Sequence, residues 1–132
     1  MRILVTGAAG YIGSALVRAL AGEHDVLATD QGAMDFGPGV RVVTGNLAYP
    51  KFARSLVTPD TDAVFHLASL VSGGAEENFE LGTKVNLEAT RDLLEACRLA
   101  GRAPKFLFAS SVAVYGGRGG EIGDQTPARP RL

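Results

Sequence analysis

Short apolar runs alternate along the chain with longer stretches of helical periodicity. The apolar runs are residues 3–5, 25–29, 40–43, 63–68 and 105–109, and apolar residues recur at helical spacing over 11–21 and 79–100 and, less regularly, over 48–57. The first run, Ile3-Leu4-Val5, is typical of a strand buried on both faces of a sheet. Strands that alternate with helices predict an α/β fold with right-handed crossovers. We therefore expect a doubly wound parallel sheet of about five strands in the order 3-2-1-4-5.

Polar and glycine-rich stretches between these elements are predicted as loops. Residues 31–39 separate the second and third strands, and Ser72-Gly73-Gly74 follows the fourth. After Tyr115-Gly116-Gly117 the periodic signal fades, and we expect irregular structure from there to residue 132.

The first strand is followed at once by Gly7-Ala8-Ala9-Gly10-Tyr11-Ile12-Gly13. This G-x-x-G-x-x-G spacing is a variant of the G-x-G-x-x-G loop that binds dinucleotides in Rossmann folds. Gly7 would allow the tight turn, Gly10 the approach of a pyrophosphate, and Gly13 close packing of helix on strand. The following helix N-terminus offers unpaired N–H groups and a positive dipole end to phosphates. The alternative is a plain strand-turn-helix whose glycines serve only the turn.

Asp30 favours the dinucleotide interpretation, because it ends the second strand 17 residues after Gly13. A carboxylate at this place can accept hydrogen bonds from both hydroxyls of an adenosine ribose. It would also repel a 2′-phosphate, and neither Gln31 nor Gly32 supplies a positive charge to offset that repulsion. The sequence therefore predicts a Rossmann fold whose cofactor is NAD rather than NADP.

Composition agrees with a single globular domain over residues 1–132. Hydrophobic residues make up 46% of the chain and charged residues 20%, and the net charge is −1, so we expect neither a nucleic-acid nor a membrane-surface partner. No apolar run approaches the roughly 18 residues of a membrane span. The single cysteine, Cys97, and the lack of a signal-peptide pattern favour a cytoplasmic location.

Several other residues that can carry chemistry are predicted to be structural. His66 lies inside an apolar strand, where a hydrogen-bonded core histidine is a better interpretation than a catalytic base. Cys97 lies among leucines of the long helix and is interpreted as core. Glu76, Glu77 and Glu80 could suggest a metal site, but they are better explained as the solvated start of a helix, favoured by its dipole. We predict no metal site.

Four segments occur in one order along the chain: TGAAGYIG at 6–13, FHLAS at 65–69, VNLEAT at 85–90 and SSVAVYG at 110–116. Together they resemble the extended short-chain dehydrogenase/reductase family of nucleotide-sugar epimerases and dehydratases. The resemblance covers essentially the whole chain. Residues 65–76, with Lys84-Val85-Asn86-Leu87, resemble the D-erythronate dehydrogenase branch of that family more closely.

The resemblance implies a role for each candidate site residue. The cofactor-binding residues would be Gly7, Gly10, Tyr11, Ile12, Gly13, Asp30, Gln31, Asn46, Leu47, Leu67, Ala68, Ser69, Asn86, Ala109 and Ser110. Ser72 and Val112 would face the substrate, and Ser111 would be the catalytic hydroxyl, although by itself it could simply satisfy turn backbone. Family members usually have Asp at the position of Asn46. An amide oxygen accepts the adenine amino proton without charge, so we expect a weaker contact there.

Hydride transfer in this family uses a tyrosine and a lysine in a Y-x-x-x-K pair on one helix face. The tyrosine, its pKa lowered by the lysine, takes the substrate hydroxyl proton, while a serine bonds the same oxygen and the cofactor takes the hydride. The residues four positions after Tyr11, Tyr49 and Tyr115 are Ala15, Ala53 and Gly119, so the pair does not occur in residues 1–132. We therefore expect a chain truncated before the catalytic helix and the substrate lobe, and inactive alone.

The expected parent protein is an NAD-dependent dehydrogenase or epimerase acting on a sugar acid or a nucleotide sugar. D-Erythronate dehydrogenation is one alternative, and UDP-sugar 4-epimerisation or dehydration is another. Two further interpretations are a non-catalytic NAD-binding sensor or interaction module and a remnant that binds no nucleotide. The resemblance also implies a homodimer through helix 79–100.

Overall fold

A computed structural model describes residues 1–117 and 120–130 of the chain. Its five strands are β1 Arg2–Thr6, β2 Asp25–Asp30, β3 Val40–Thr44, β4 Ala63–His66 and β5 Lys105–Phe108. They form one sheet in the order β3-β2-β1-β4-β5, and every neighbouring pair is parallel. The doubly wound sheet and its strand order, both predicted from the sequence, are confirmed.

Helices connect the strands. They are α1 Tyr11–Leu20, α2 Pro50–Ser55, α3 Ser72–Glu77, α4 Phe79–Thr83 and α5 Ala89–Leu99, with a π-helical turn at Lys84–Glu88 that joins α4 to α5 and a 3₁₀ turn at Val112–Tyr115. In the described part of the chain, no helix has the length and apolar character needed to cross a membrane.

The core forms two layers, one on each face of the sheet. Ile3 and Val5 of β1 pack with Val17 of α1 on one face. Leu4 packs with Leu93 of α5 on the other face. Because consecutive strand residues point to opposite faces, both faces of β1 are buried from Ile3 to Thr6, as its apolar run predicts.

The helical region after β4 differs from the sequence prediction. Ser72-Gly73-Gly74, predicted as a loop, opens α3, whose first turn closes with a bond from Ala75 N–H to Val71 O (3.1 Å). The predicted helix 79–100 is present, but its middle is the π-helical turn, in which Ala89 N–H donates to Lys84 O five residues earlier. Such turns occur often at functional sites.

Candidate functional site

A cleft of about 280 Å³ lies at the carboxyl ends of β1, β2 and β4. The strand order reverses between β1 and β4, and this switch point is where doubly wound sheets bind ligands. The cleft is lined by Gly7, Gly10, Asp30, Gln31, Gly45, Leu47, Leu67, Ala68, Ser69 and Val85.

Glycine is required at two positions of the loop between β1 and α1. Gly7 has a φ of +71°, and a Cβ there would lie 2.7 Å from the backbone nitrogen of Ala68. A Cβ on Gly13 would lie 2.1 Å from the carbonyl oxygen of Gly7, so α1 packs against the loop only without a side chain. Both contacts are with backbone, which has little freedom to move away.

The N-terminus of α1 fits a pyrophosphate. Gly10 precedes the helix and gives no side-chain cap, and the first N–H groups of a helix have no acceptor within it. Tyr11 and Ile12, both predicted as cofactor-binding, are 94% and 67% exposed and line neither this cleft nor its neighbour. The helix therefore presents donors and the positive end of its dipole to an anion.

The Asp30 carboxylate ties the glycine loop to the end of β2. Its Oδ2 accepts the N–H of Ala9 at 3.0 Å, and its Oδ1 accepts those of Gln31 and Gly32 at 2.7 and 3.2 Å. A carboxylate has about four lone-pair sites, so it retains capacity for a ligand hydroxyl. Asp30 thus shapes the loop and keeps acceptor capacity at the lining of the cleft.

A second cleft, of about 510 Å³, adjoins the first through Ala68 and Ser69, which line both. Its other lining residues are Leu70, Val71, Asn86, Phe108, Ala109, Ser110, Ser111, Ala113 and Val114. The two clefts form a groove along the carboxyl edge of the sheet, from β2 to β5.

Ser111 lies in the second cleft, at the start of the 3₁₀ turn. Its Oγ accepts the N–H of Ala113 at 3.2 Å, and the side chain is exposed. Because this bond uses only a lone pair, the hydroxyl hydrogen remains available to a ligand oxygen.

Asn86 holds the chain segment that follows β4. Its Oδ1 accepts the N–H of Leu70 at 2.7 Å, and its Nδ2 donates to the carbonyl of Leu70 at 2.9 Å. Asn86 belongs to the π-helical turn, so the turn is joined to the backbone that separates the two clefts.

His66, buried at the end of β4, has both ring nitrogens in hydrogen bonds. Thr90 Oγ1 donates to the carbonyl of Asn86 at 2.8 Å, so it can only accept from His66 Nε2, 2.9 Å away. The proton of the neutral ring is therefore on Nε2, and Nδ1 accepts from Thr6 Oγ1 at 2.7 Å. Burial lowers the pKa of His66 to about 4, which keeps the ring neutral.

Some predicted site residues lie outside both linings. Asn46 Oδ1 accepts the N–H of Ala48 at 2.8 Å, so one of the two lone pairs of its amide oxygen is already used. Gly13 lies behind Gly7, and Val112 is 78% exposed beside the second cleft. The side chain of Ser72 lies outside the described residues.

Sequence reasoning missed Gly45 and Val85, which line the first cleft. Gly45 follows β3 directly, and the ring of Phe52 lies 2.3 Å from where its Cβ would be. A glycine at the carboxyl end of the strand next to the one that ends in Asp30 could have indicated that Gly45 lies at the cleft. Val85 stands next to Asn86, so the motif VNLEAT already contained it.

Cys97 is buried, and burial raises the pKa of its thiol. A protonated thiol in an apolar layer is a core residue and not a nucleophile. Among residues 1–117 and 120–130, no group of three or more His, Cys, Asp or Glu residues could hold a metal ion.

Residues 3–131 match the model of the NAD dependent epimerase/dehydratase family. Among curated proteins, D-erythronate dehydrogenase of Cupriavidus necator is 47% identical over 135 residues, which cover 89% of this chain and 41% of that protein. The chain thus spans less than half the length of this relative.

Solved structures show the same relationship. A mutant uronate dehydrogenase from Agrobacterium tumefaciens complexed with NAD has a TM-score of 0.84 and 32% identity, covering 98% of this chain and 48% of that one. MoeE5 in complex with UDP-glucose and NAD has a TM-score of 0.86 and 35% identity, covering 98% and 43%. Because the family model matches nearly all residues of this chain, the chain belongs to the NAD-dependent epimerase/dehydratase family.

Proposed function

We propose that the chain is the NAD-binding domain of an oxidoreductase or epimerase that works by hydride transfer. The observation that carries the proposal is the glycine loop and Asp30 in one cleft at the switch point of the sheet. Close packing at Gly7 and Gly13 holds the loop against β4 and α1, and the open N-terminus of α1 suits a pyrophosphate. The two similar structures that are complexes with NAD support this assignment.

NAD, rather than NADP, fits the ribose end of the cleft. Asp30 would accept hydrogen bonds from the ribose hydroxyls and repel a 2′-phosphate. Of the described residues that line the cleft, none is basic. A 2′-phosphate would therefore meet a carboxylate without a counter-charge.

Ser111 would act at the reacting end of the groove. Bound NAD would supply the hydride acceptor. The hydroxyl of Ser111 would donate to the substrate oxygen and orient it, and the segment Leu67–Ser69 would support the cofactor between the clefts. We propose that the tyrosine and lysine that take the proton belong to a longer protein, since this chain spans 41% of its D-erythronate dehydrogenase relative.

The substrate we favour is a small sugar acid such as D-erythronate, because the relative named for that activity is 47% identical. A nucleotide sugar is the second candidate, since the similar MoeE5 structure is a complex with UDP-glucose. NADH formation with D-erythronate, against interconversion of UDP-glucose without net NADH, distinguishes the two. The assay requires the protein at the length its gene encodes.

Calorimetric titration with NAD and with NADP tests the cofactor proposal. The wild-type protein should bind NAD more tightly than NADP. Asp30→Ala should weaken NAD binding about tenfold, because hydrogen bonds to a charged group are lost, and should reduce the preference for NAD over NADP. Asp35→Ala is a matched control, since Asp35 also accepts a backbone N–H two residues on, that of Gly37, but does not line the cleft.

Unchanged NAD affinity in Asp30→Ala would remove Asp30 from the ribose role. Absence of NAD binding by the wild-type protein would refute the proposal as a whole. NAD binding without NADH formation or epimerisation in the full-length protein would favour a sensor or interaction module.

A further inference from the structure

We propose that Thr6, His66 and Thr90 are positioning residues that fix the backbone between the two clefts, and hence the cofactor. The inference rests on the proposed NAD binding. None of the three lines either cleft, so each would act through other residues.

The hydrogen bonds of the three residues run in one direction from end to end. Ala68 N–H donates to Thr6 Oγ1 (3.2 Å), which donates to His66 Nδ1. His66 Nε2 donates to Thr90 Oγ1, which donates to the carbonyl of Asn86. Because every hydroxyl proton is assigned, this series of hydrogen bonds has a single orientation and requires a neutral imidazole.

The Thr90 end of this hydrogen-bond series supports the π-helical turn. The turn moves the backbone acceptor by one residue, as the bond from Ala89 N–H to Lys84 O shows. The Thr90 hydroxyl reaches the carbonyl of Asn86, four residues earlier, and adds a side-chain bond at this place. The turn that carries Asn86 is therefore fixed to β4 through His66.

Both ends converge on the same short segment. Thr6 Oγ1 holds the N–H of Ala68, and the Asn86 amide holds the N–H and carbonyl of Leu70. Ala68 lines both clefts and Leu70 the second. The register of β1 and β4 and the rotation of the π-helical turn thus set the path of the backbone on which a cofactor would rest.

Thr90→Val tests this hydrogen-bond series at one position, since valine has the shape of threonine without its hydroxyl. It leaves His66 Nε2–H without its acceptor and removes the donor to Asn86. In the protein at its encoded length, we expect NAD affinity to fall about tenfold, the effect of leaving a buried donor unpaired next to an ordered segment. Thr90→Ser keeps the hydroxyl and should stay within about twofold. Thr83→Val makes the same change on the same helical stretch and is the control.

A second readout does not involve NAD. Amide exchange of Leu70, followed by NMR, should accelerate in Thr90→Val and match the wild type in Thr90→Ser. If Thr90→Val only lowers the melting temperature, while NAD affinity and Leu70 exchange stay unchanged below it, the inference is overturned. If the wild-type protein binds no NAD, the proposed function fails, and Leu70 exchange alone then supports or overturns the positioning role.

Discussion

At the scale of single residues, His66 shows how a histidine can be fully hydrogen-bonded and still make stability depend on pH. Its ring accepts at Nδ1 and donates at Nε2, so the folded protein resists its protonation. Burial lowers its pKa from 6.5 to about 4. Between these values the unfolded chain binds a proton that the folded chain does not.

The stability contributed by neutral His66 should therefore be present above pH 6.5 and lost as the pH falls towards 4. The pKa difference corresponds to roughly 3 kcal/mol, reached at the acid end of this window. Urea unfolding over this pH range measures the slope, and His66→Gln should flatten it. An NMR titration that places the pKa of the His66 ring near its ordinary value would contradict this expectation.

A second prediction at this scale concerns the effect of Gly13→Ala on stability. A Cβ there would lie 2.1 Å from the Gly7 carbonyl oxygen, so Gly13→Ala should displace α1 from the loop and cost about 3 kcal/mol of unfolding free energy. A Cβ on Gly22 would have no heavy atom within 4 Å, so Gly22→Ala should change stability by less than about 0.5 kcal/mol. Denaturant unfolding compares the two. Equal effects at both positions would show that close packing at Gly13 is unimportant.

At the scale of elements, the features that local sequence patterns encode were predictable. The apolar run of β1, the glycines after it and Asp30 at the end of β2 are local signals, and Gly7, Gly10 and Asp30 do line one cleft. The strand order follows from the alternation of strands and helices together with the family's four motifs.

Features that depend on contacts between distant residues were not predictable in this way. A π-helical turn adds one residue to a helix and hardly changes its apolar period, so Lys84–Glu88 looked like ordinary helix. α3 forms where two glycines suggested a loop, with Leu70 packed 3.0 Å from where a Cβ of Gly74 would be. The bond between His66 and Thr90 joins residues 24 apart and follows no sequence period.

At the scale of the whole molecule, the long helical stretch from Phe79 to Leu99 carries exposed apolar side chains. Leu87 is 66% exposed and Leu94, seven residues later, 46%. The β5 edge of the sheet also carries exposed apolar side chains, with Leu107 at 49% and Phe108 at 52%. Both surfaces are available for self-association, and we propose the helical one as the homodimer contact.

The double substitution Leu87→Glu and Leu94→Glu should shift the protein towards monomer, because it places charges on the proposed contact. Sedimentation velocity over a range of concentrations measures this shift. Leu107→Glu is the control at the edge of β5. A wild-type protein that stays monomeric at every concentration would contradict the proposal, and loss of association only in Leu107→Glu would move the contact to the sheet edge.

The π-helical turn also determines what the deletion of a single residue within it would do. An α-helix rotates about 100° per residue, so removing the codon of Leu87 or Glu88, inside the turn Lys84–Glu88, would let the stretch become regular helix and rotate the residues before the deletion by that angle. Leu93 and Cys97 would keep their places in the core, because they lie after the deletion. Asn86 would turn away from Leu70. Such a deletion would thus leave a folded protein in which the edge proposed to hold the cofactor is disrupted, a defect that expression and solubility would not reveal.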